Sequence, residues 1–305
     1  MTTGLVAITG ATGYVGRFVV AKLQRQGFAI RALSRPESDR SGFDEATSME
    51  WISGDLRDAA ARHKLVTDAD AVVHLAYEHV PGKYRGGEGD DLPAWLDANL
   101  HSSMKLLFDA RNAQVKRFLF LSSRAVFSRT EPGRVLDETH PTSPDSHYGA
   151  YKAAVEAFMQ SVSHTGDMQT CSLRATGVYG ITYPLERTKW WKLIKAVVND
   201  EPITFSGGGT EVYGGDVART ISALLTCPRI PFDTVHLSDL YITHREVVQI
   251  ARKLSGHPGD LPPAPEKSPQ NVMVSRYLDQ LGITLGGRSQ LEATIAEMVK
   301  LAQSV

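Results

Sequence analysis

The chain has 305 residues, and its 33 Lys and Arg nearly cancel its 34 Asp and Glu, leaving a net charge of −1. That balance weighs against a polyanion-binding surface and a nucleic-acid role. Cys171 and Cys227 are the two cysteines and both sit by apolar runs, so no disulfide framework and no metal site is expected, and no apolar run reaches membrane-spanning length.

The N-terminus enters a strand with no signal-peptide pattern ahead of it, so a cytoplasmic location is expected. Leu5-Val6-Ala7-Ile8 is an apolar run of strand type, and a helical pattern through Phe18, Val19 and Leu23 follows a glycine-rich turn. That turn reads Thr9-Gly10-Ala11-Thr12-Gly13-Tyr14-Val15-Gly16. Strand, glycine turn and helix start together make a site for a dinucleotide pyrophosphate, because the helix start offers unpaired N–H groups. Gly10 allows the tight turn, Gly13 lets phosphate approach the backbone, and Gly16 lets the helix pack onto the strand. Thr12, Tyr14 and Val15 complete this cofactor-binding loop.

The next strand candidates are Phe28–Leu33, Met49–Ile52, Ala71–Ala76, Arg117–Ser122 and Gln169–Ala175, with helical patterns near 14–26, 56–64, 93–112 and 147–164. Several strands are almost continuously apolar, as expected when helices cover both sheet faces. The predicted fold is α/β, a doubly wound parallel sheet of Rossmann type with its ligand at the strand C-terminal ends. Residues 1–180 are expected to form the dinucleotide-binding domain, with 210–240 returning to it. Beyond residue 176 the rhythm breaks into helical stretches near 185–199, 216–226, 243–254 and 290–302, separated by glycine- and proline-rich pieces. Residues 181–305 are read as a smaller, interleaved substrate-binding part. Tyr77–Asp91 is a glycine-rich, charged loop on the ligand side, either a lid or a tolerated surface insertion.

An NAD-type fold carries Asp or Glu at the end of the second strand, where it binds the ribose hydroxyls. Here the segment is Arg31-Ala32-Leu33-Ser34-Arg35, with Ser34 in the acid's place and Arg35 after it. A carboxylate repels a 2′-phosphate, whereas an arginine pairs with it through a planar fork of donors. NADP is the preferred cofactor and NAD the alternative.

Tyr148-Gly149-Ala150-Tyr151-Lys152 places Tyr148 and Lys152 four residues apart, on one face of a helix start. A phenol titrates near ~10, so acting as a base near neutrality needs a shift worth about 4 kcal/mol. An exposed neighbouring lysine supplies only ~0.2–1 kcal/mol. The pair must therefore be desolvated beside an oxidised nicotinamide. Ser122-Ser123 ends the fifth strand, where a hydroxyl can bond the carbonyl oxygen that Tyr148 protonates. Ser123, lying past the strand end, is the expected donor; strand-end capping fits Ser122.

With these pieces in order, the chain resembles an extended short-chain dehydrogenase/reductase, the family that includes nucleotide-sugar epimerases and dehydratases. The matching pieces are Thr9–Gly16, Gly54-Asp55-Leu56, Val73-His74-Leu75-Ala76, Asn99, Ser122–Phe127, Tyr148 with Lys152, and Leu173–Gly180. The resemblance implies that Asp55 and Leu56 hold the adenine and that Leu75 and Ala76 line the path to the nicotinamide. It implies that Lys152 also binds the nicotinamide ribose, that Asn99 supports an active-site water and the helix geometry, and that Thr176 to Val178 approach the nicotinamide amide. A homodimer through the helices near 93–112 and 147–164 is implied as well.

The departures narrow the chemistry. Dehydratases of the family carry an acidic pair directly after the serine position, where this chain has Arg124-Ala125. Eliminating water needs an acid and a base at that carbon, so dehydration is disfavoured. Nucleotide-sugar enzymes place an asparagine after the last strand, where Thr176-Gly177 stands here, and an arginine shortly before the aspartate matching Asp216. The segment here is Thr210-Glu211-Val212-Tyr213, and a glutamate against a diphosphate is unfavourable. A smaller substrate without a nucleotide follows, such as a sugar, sugar acid or hydroxy compound, with Lys83, Arg129, Arg187 and Lys189 as candidates for binding a carboxylate.

The expected function is reversible hydride transfer between NADP(H) and a carbinol/carbonyl carbon. The alternatives are a sugar or nucleotide-sugar epimerase with retained NAD, and a non-catalytic NADP-sensing regulator. The expected partners are a small-molecule substrate and a second copy of the chain, with no nucleic acid and no membrane.

Overall fold

The computed structural model describes residues 4–43, 49–80, 82–83, 86–204, 206–265 and 271–304. Residues 81, 84 and 85 of the 77–91 loop lie outside the described residues.

The first half alternates β1 (Leu5–Thr9), α1 (Tyr14–Arg25), β2 (Ala29–Ser34), β3 (Met49–Ser53), α2 (Ala59–Val66), β4 (Ala71–His74), α3 (Leu92–Leu96), α4 (Ser102–Asn112), β5 (Arg117–Ser123), α5 (His147–His164) and β6 (Gln169–Ala175). The second half holds β7 (Gly177–Tyr179), α6 (Trp191–Val198), β8 (Gly208–Tyr213), α7 (Gly214–Thr226), β9 (Thr234–Leu237), β10 (Leu240–Thr243), α8 (His244–Ser255) and α9 (Gly287–Gln303). A seven-stranded parallel sheet has the order β3-β2-β1-β4-β5-β6-β9. A second sheet of three strands, β10-β8-β7, holds the wall beside it.

Side-chain alternation splits the core between the two sheet faces. Val6 and Ile8 of β1 pack with α1 and α7 through Val19, Leu23, Val217 and Ile221. Ala7 of the same strand faces the other way, toward Leu106, Phe118, Phe120, Tyr151 and Val155 under α4 and α5. A third cluster of Tyr179, Trp190, Ile194, Val247 and Ile295 binds α6, α8 and α9 to the small sheet.

The predicted helix over 93–112 is interrupted. Asp97–His101 form a π-helical turn between α3 and α4. Ser102 donates to the Asp97 carbonyl and Ser103 to the Asn99 carbonyl, so hydroxyls take up backbone groups where the regular ladder shifts. The predicted helix over 185–199 also splits. Trp190 adopts a left-handed backbone (φ 66°), separating a short 3₁₀ turn at Leu185–Arg187 from α6. Strands β7, β8, β9 and β10 escaped the sequence reading, because three to six residues carry too little periodicity.

Candidate active site

Gly10 has φ +73°, and a Cβ there would lie 2.7 Å from the Ala76 nitrogen, so glycine is needed for the loop to cross the end of β4. A Cβ on Gly16 would lie 2.6 Å from the Ala11 carbonyl oxygen. Gly13 caps α1 without any side-chain cap, and the first turn holds no acid. The helix N–H groups are thus left for an external anion, and the loop fits a dinucleotide pyrophosphate. The Tyr14 hydroxyl donates to the Gly180 carbonyl at 2.6 Å and accepts from the Lys189 backbone N–H at 3.1 Å. The Thr12 carbonyl accepts from Arg17 and from Arg187, and Val15 packs against the core. The loop is therefore joined to the segment between β7 and α6.

At the end of β2, Ser34 is buried and its Oγ accepts from Arg40 Nε at 3.3 Å. Arg35 is half-exposed and pairs with Glu37 at 3.1 Å and Glu78 at 2.9 Å. Arg57 reaches the same Glu78 at 3.4 Å and bonds Asp55 at 2.6 Å. That bond holds the Asp55 carboxyl below the usual carboxylate range. Leu56 is partly buried beside them, and Arg17 donates to the Asp39 and Ser41 carbonyls. Four guanidinium groups thus border the outlet of β2 and β3, where the sequence singled out Arg35. The recurrence of arginine at 35, 40 and 57 was an available signal; Arg17, on α1, was not.

Further along, Leu75 and Ala76 donate their N–H groups to the Thr9 carbonyl and hydroxyl. His74 lies buried between Thr9 Oγ1 (2.6 Å) and Ser103 Oγ (2.7 Å), and burial pushes it down to about 3, so it is neutral. Asn99, in the π turn, accepts from the Glu78 N–H and donates to the Glu78 and Trp95 carbonyls. It holds the segment that follows Ala76.

Ser146 caps α5 by accepting from Gly149 N–H, which puts Tyr148 in the first turn and Lys152 one turn later. Lys152 is 3 % exposed, and its Nζ donates to the Leu121 carbonyl at 2.7 Å. The ammonium lies 4.4 Å from the ring centre of Phe120, 4.8 Å from Tyr151, 5.6 Å from Tyr77 and 5.7 Å from Tyr148. Burial pushes Lys152 down to about 7, while Glu156 one turn on acts to raise it. Tyr77 was not foreseen; its ring lies 4.9 Å from that of Tyr148, and an aromatic next to Ala76 was its only trace in the sequence.

The capping expected of Ser122 falls to Ser123. Strand β5 runs through Ser123, which pairs with Ala175, so Ser123 is the last strand residue and does not lie beyond it. Ser123 is also the capping residue, accepting from Ala125 N–H. Ser122 points to the opposite face and donates to Glu156, which is buried in a forked pair with Arg174. Ser123 thus keeps the face that leads to the strand ends. Thr176 bonds the Leu237 carbonyl, and Val178 lies on β7 opposite Val212. Of the cations offered for a carboxylate, Lys189 is bonded to Glu211 and Arg187 to the Thr12 carbonyl.

The family model described as the NAD dependent epimerase/dehydratase family matches residues 6–231. The low-salt glycan biosynthesis protein Agl12 of Haloferax volcanii is 27 % identical over 68 % of this chain and 67 % of its own. A UDP-glucose 4-epimerase of Streptomyces lividans is 26 % identical over 84 % of this chain and 82 % of its own. The crystal structure of Thermus thermophilus UDP-glucose 4-epimerase in complex with NAD superimposes with a TM-score of 0.79 at 22 % identity, covering 99 % of each chain. That likeness is one of fold. Together with the family match, it establishes that this chain belongs to the NAD-dependent epimerase/dehydratase family, as an enzyme of the extended short-chain dehydrogenase type.

Proposed function

We propose that the chain catalyses reversible oxidation and reduction of a carbinol/carbonyl carbon in a small, non-nucleotide polar substrate, with NADP as the exchangeable cofactor. The observation that carries this is the enclosure of the Lys152 ammonium by Tyr148, Tyr151, Tyr77 and Phe120, where β5 leads to Ser123. The bound nicotinamide supplies or accepts the hydride. Tyr148 exchanges the proton of the reacting oxygen, and Ser123 Oγ donates to that same oxygen. Lys152 places a positive charge behind the phenol where water is excluded, which favours the phenolate. The arginines at the end of β2, Arg35 foremost, support the 2′-phosphate reading, and Ser34 offers no carboxylate to oppose it.

In this reading Gly10, Thr12, Gly13, Tyr14, Val15 and Gly16 cradle the pyrophosphate, Asp55 and Leu56 hold the adenine, and Leu75, Ala76, Asn99, Thr176 and Val178 border the nicotinamide half. Residues 1–180 with 210–240 form the dinucleotide-binding part and 181–305 the interleaved substrate part. A homodimer through α4 and α5 is supported by Phe108 and Phe158, whose rings stand exposed on those helices.

The test is an absorbance screen at 340 nm of NADP⁺ and NADPH against small aldoses, ketones and hydroxy acids. A net change with freely exchanging cofactor is the expected result. The relatives named as UDP-glucose 4-epimerases favour a second reading, internal redox on retained NAD. Cofactor carried through purification, with no net change at 340 nm, is the signature of that second reading.

A further inference from the structure

Glu211 and Lys189 form an ion pair that the proton transfer does not use. Lys189 Nζ donates to both carboxylate oxygens at 2.5 Å. Glu211 lies on β8 opposite Gly177 of β7, where a Cβ would stand 2.7 Å from its Cδ. Glycine at 177 therefore admits the carboxylate, so the two departures from the nucleotide-sugar pattern are one structural feature. Gly177 follows by two residues Ala175, the register partner of Ser123. The pair thus stands at the small sheet that the chain enters directly after β6, the strand beside Ser123. Glu211 is 4 % exposed, and a third of the Lys189 side chain is open. A cavity of about 350 Å³ opens on this wall among Lys189, Trp190, Leu193 and His244.

Charge selects the ligand class. The pair is neutral overall, so a diphosphate would find no net cation here and a carboxylate at close range. A substrate carboxylate would compete with Glu211 for the same ammonium. Adjacent hydroxyls need one acceptor and one donor close together. Two N–H groups of Lys189 are taken by Glu211, leaving a third for a substrate oxygen, and the carboxylate keeps unused lone pairs for an O–H. We propose that Glu211 and Lys189 form a subsite recognising two neighbouring hydroxyls of a neutral, non-nucleotide polyol such as an aldose. This rests on, and sharpens, the reading of the chain as a dehydrogenase of small polar substrates.

Calorimetry on the NADPH-loaded protein tests it, with D-glucose, D-galactose, D-xylose, L-arabinose, D-galacturonate and UDP-galactose as titrants. At least one neutral aldose is expected to bind tenfold or more tightly than the uronate or the nucleotide sugar. Glu211→Gln is expected to weaken that binding at least tenfold. The double variant Lys189→Met with Glu211→Leu leaves no lone buried charge, and is expected to lose aldose binding while keeping its Tm and NADPH affinity. Three results overturn the proposal: no aldose bound, UDP-galactose or galacturonate bound more tightly than every aldose, or a double variant retaining aldose affinity within twofold. Hydride transfer in the same mixtures is followed separately at 340 nm, so absence of turnover and absence of aldose binding are distinct results.

Discussion

Lys152 Nζ donates to the Leu121 carbonyl at 2.7 Å, which fastens the second turn of α5 to β5 two residues before Ser123. One bond thereby sets the spacing between the element carrying Tyr148 and the element carrying Ser123. It also holds the ammonium among four aromatic rings and away from water.

Tyr148→Phe removes the exchangeable proton and keeps the ring that packs on Tyr77. A loss of about 10²–10⁴ in kcat is expected, with NADPH affinity unchanged. Steady-state rates and a fluorescence titration of NADPH check both halves, and an unaltered kcat sinks the proton-transfer role.

Lys152 titrates near 7 in the folded chain, where burial disfavours its charged form, against 10.5 as an ordinary lysine. Between those values the unfolded chain binds more protons, so this group's contribution to stability rises with pH through that window. Below it, the folded chain carries the whole cost of a buried charge. Lys152→Met is therefore expected to be the more stable protein below pH 7, by on the order of a few kcal/mol, with the gain fading toward pH 10. Urea midpoints of both proteins at pH 6, 8 and 10 give the comparison. Parallel curves contradict it.

Arg35→Ala is expected to weaken NADPH binding about tenfold, near 1.4 kcal/mol, and to leave NADH binding within twofold. Glu78 pairs with both Arg35 and Arg57, so Glu78→Gln should free them and tighten NADPH binding, more at low salt than at high. Equal effects on the two cofactors would remove the basis for preferring NADP.

Glu156 and Arg174 are buried together behind Lys152, joined at 2.6–3.1 Å. Glu156→Gln strands the guanidinium and is expected to cost about 3–5 kcal/mol in chemical denaturation. Glu156→Leu with Arg174→Met removes both charges and should recover most of that loss. A double variant as unstable as the single one would show that the cost lies elsewhere, for instance in the Ser122 contact.

The glycine loop and the Tyr148–Lys152 spacing were legible because each obeys a local rule. Gly10 needs a positive φ and Gly16 a close approach, and residues four apart share a helix face. The end of β5 was not legible, since pairing of Ser123 with Ala175, fifty-two residues away, decides it. Nor was the break in the helix at Asp97–His101, where Asn99 spends its side chain on Glu78 and Trp95.

The sequence by itself determined the doubly wound sheet, the alternation of strand and helix that builds it and the types of residue at the site, because burial patterns and short spacings are written along the chain. Only the tertiary structure decided which charges meet. The glutamate at 211 read as an obstacle to a diphosphate; folded, it is matched by Lys189, twenty-two residues earlier, and accommodated by Gly177. Arg17 joins the arginines near β2, and Tyr77 closes the ring cage around Lys152, for the same reason. Electrostatic and aromatic contacts act through space at a few ångströms, and separation along the chain does not encode that distance.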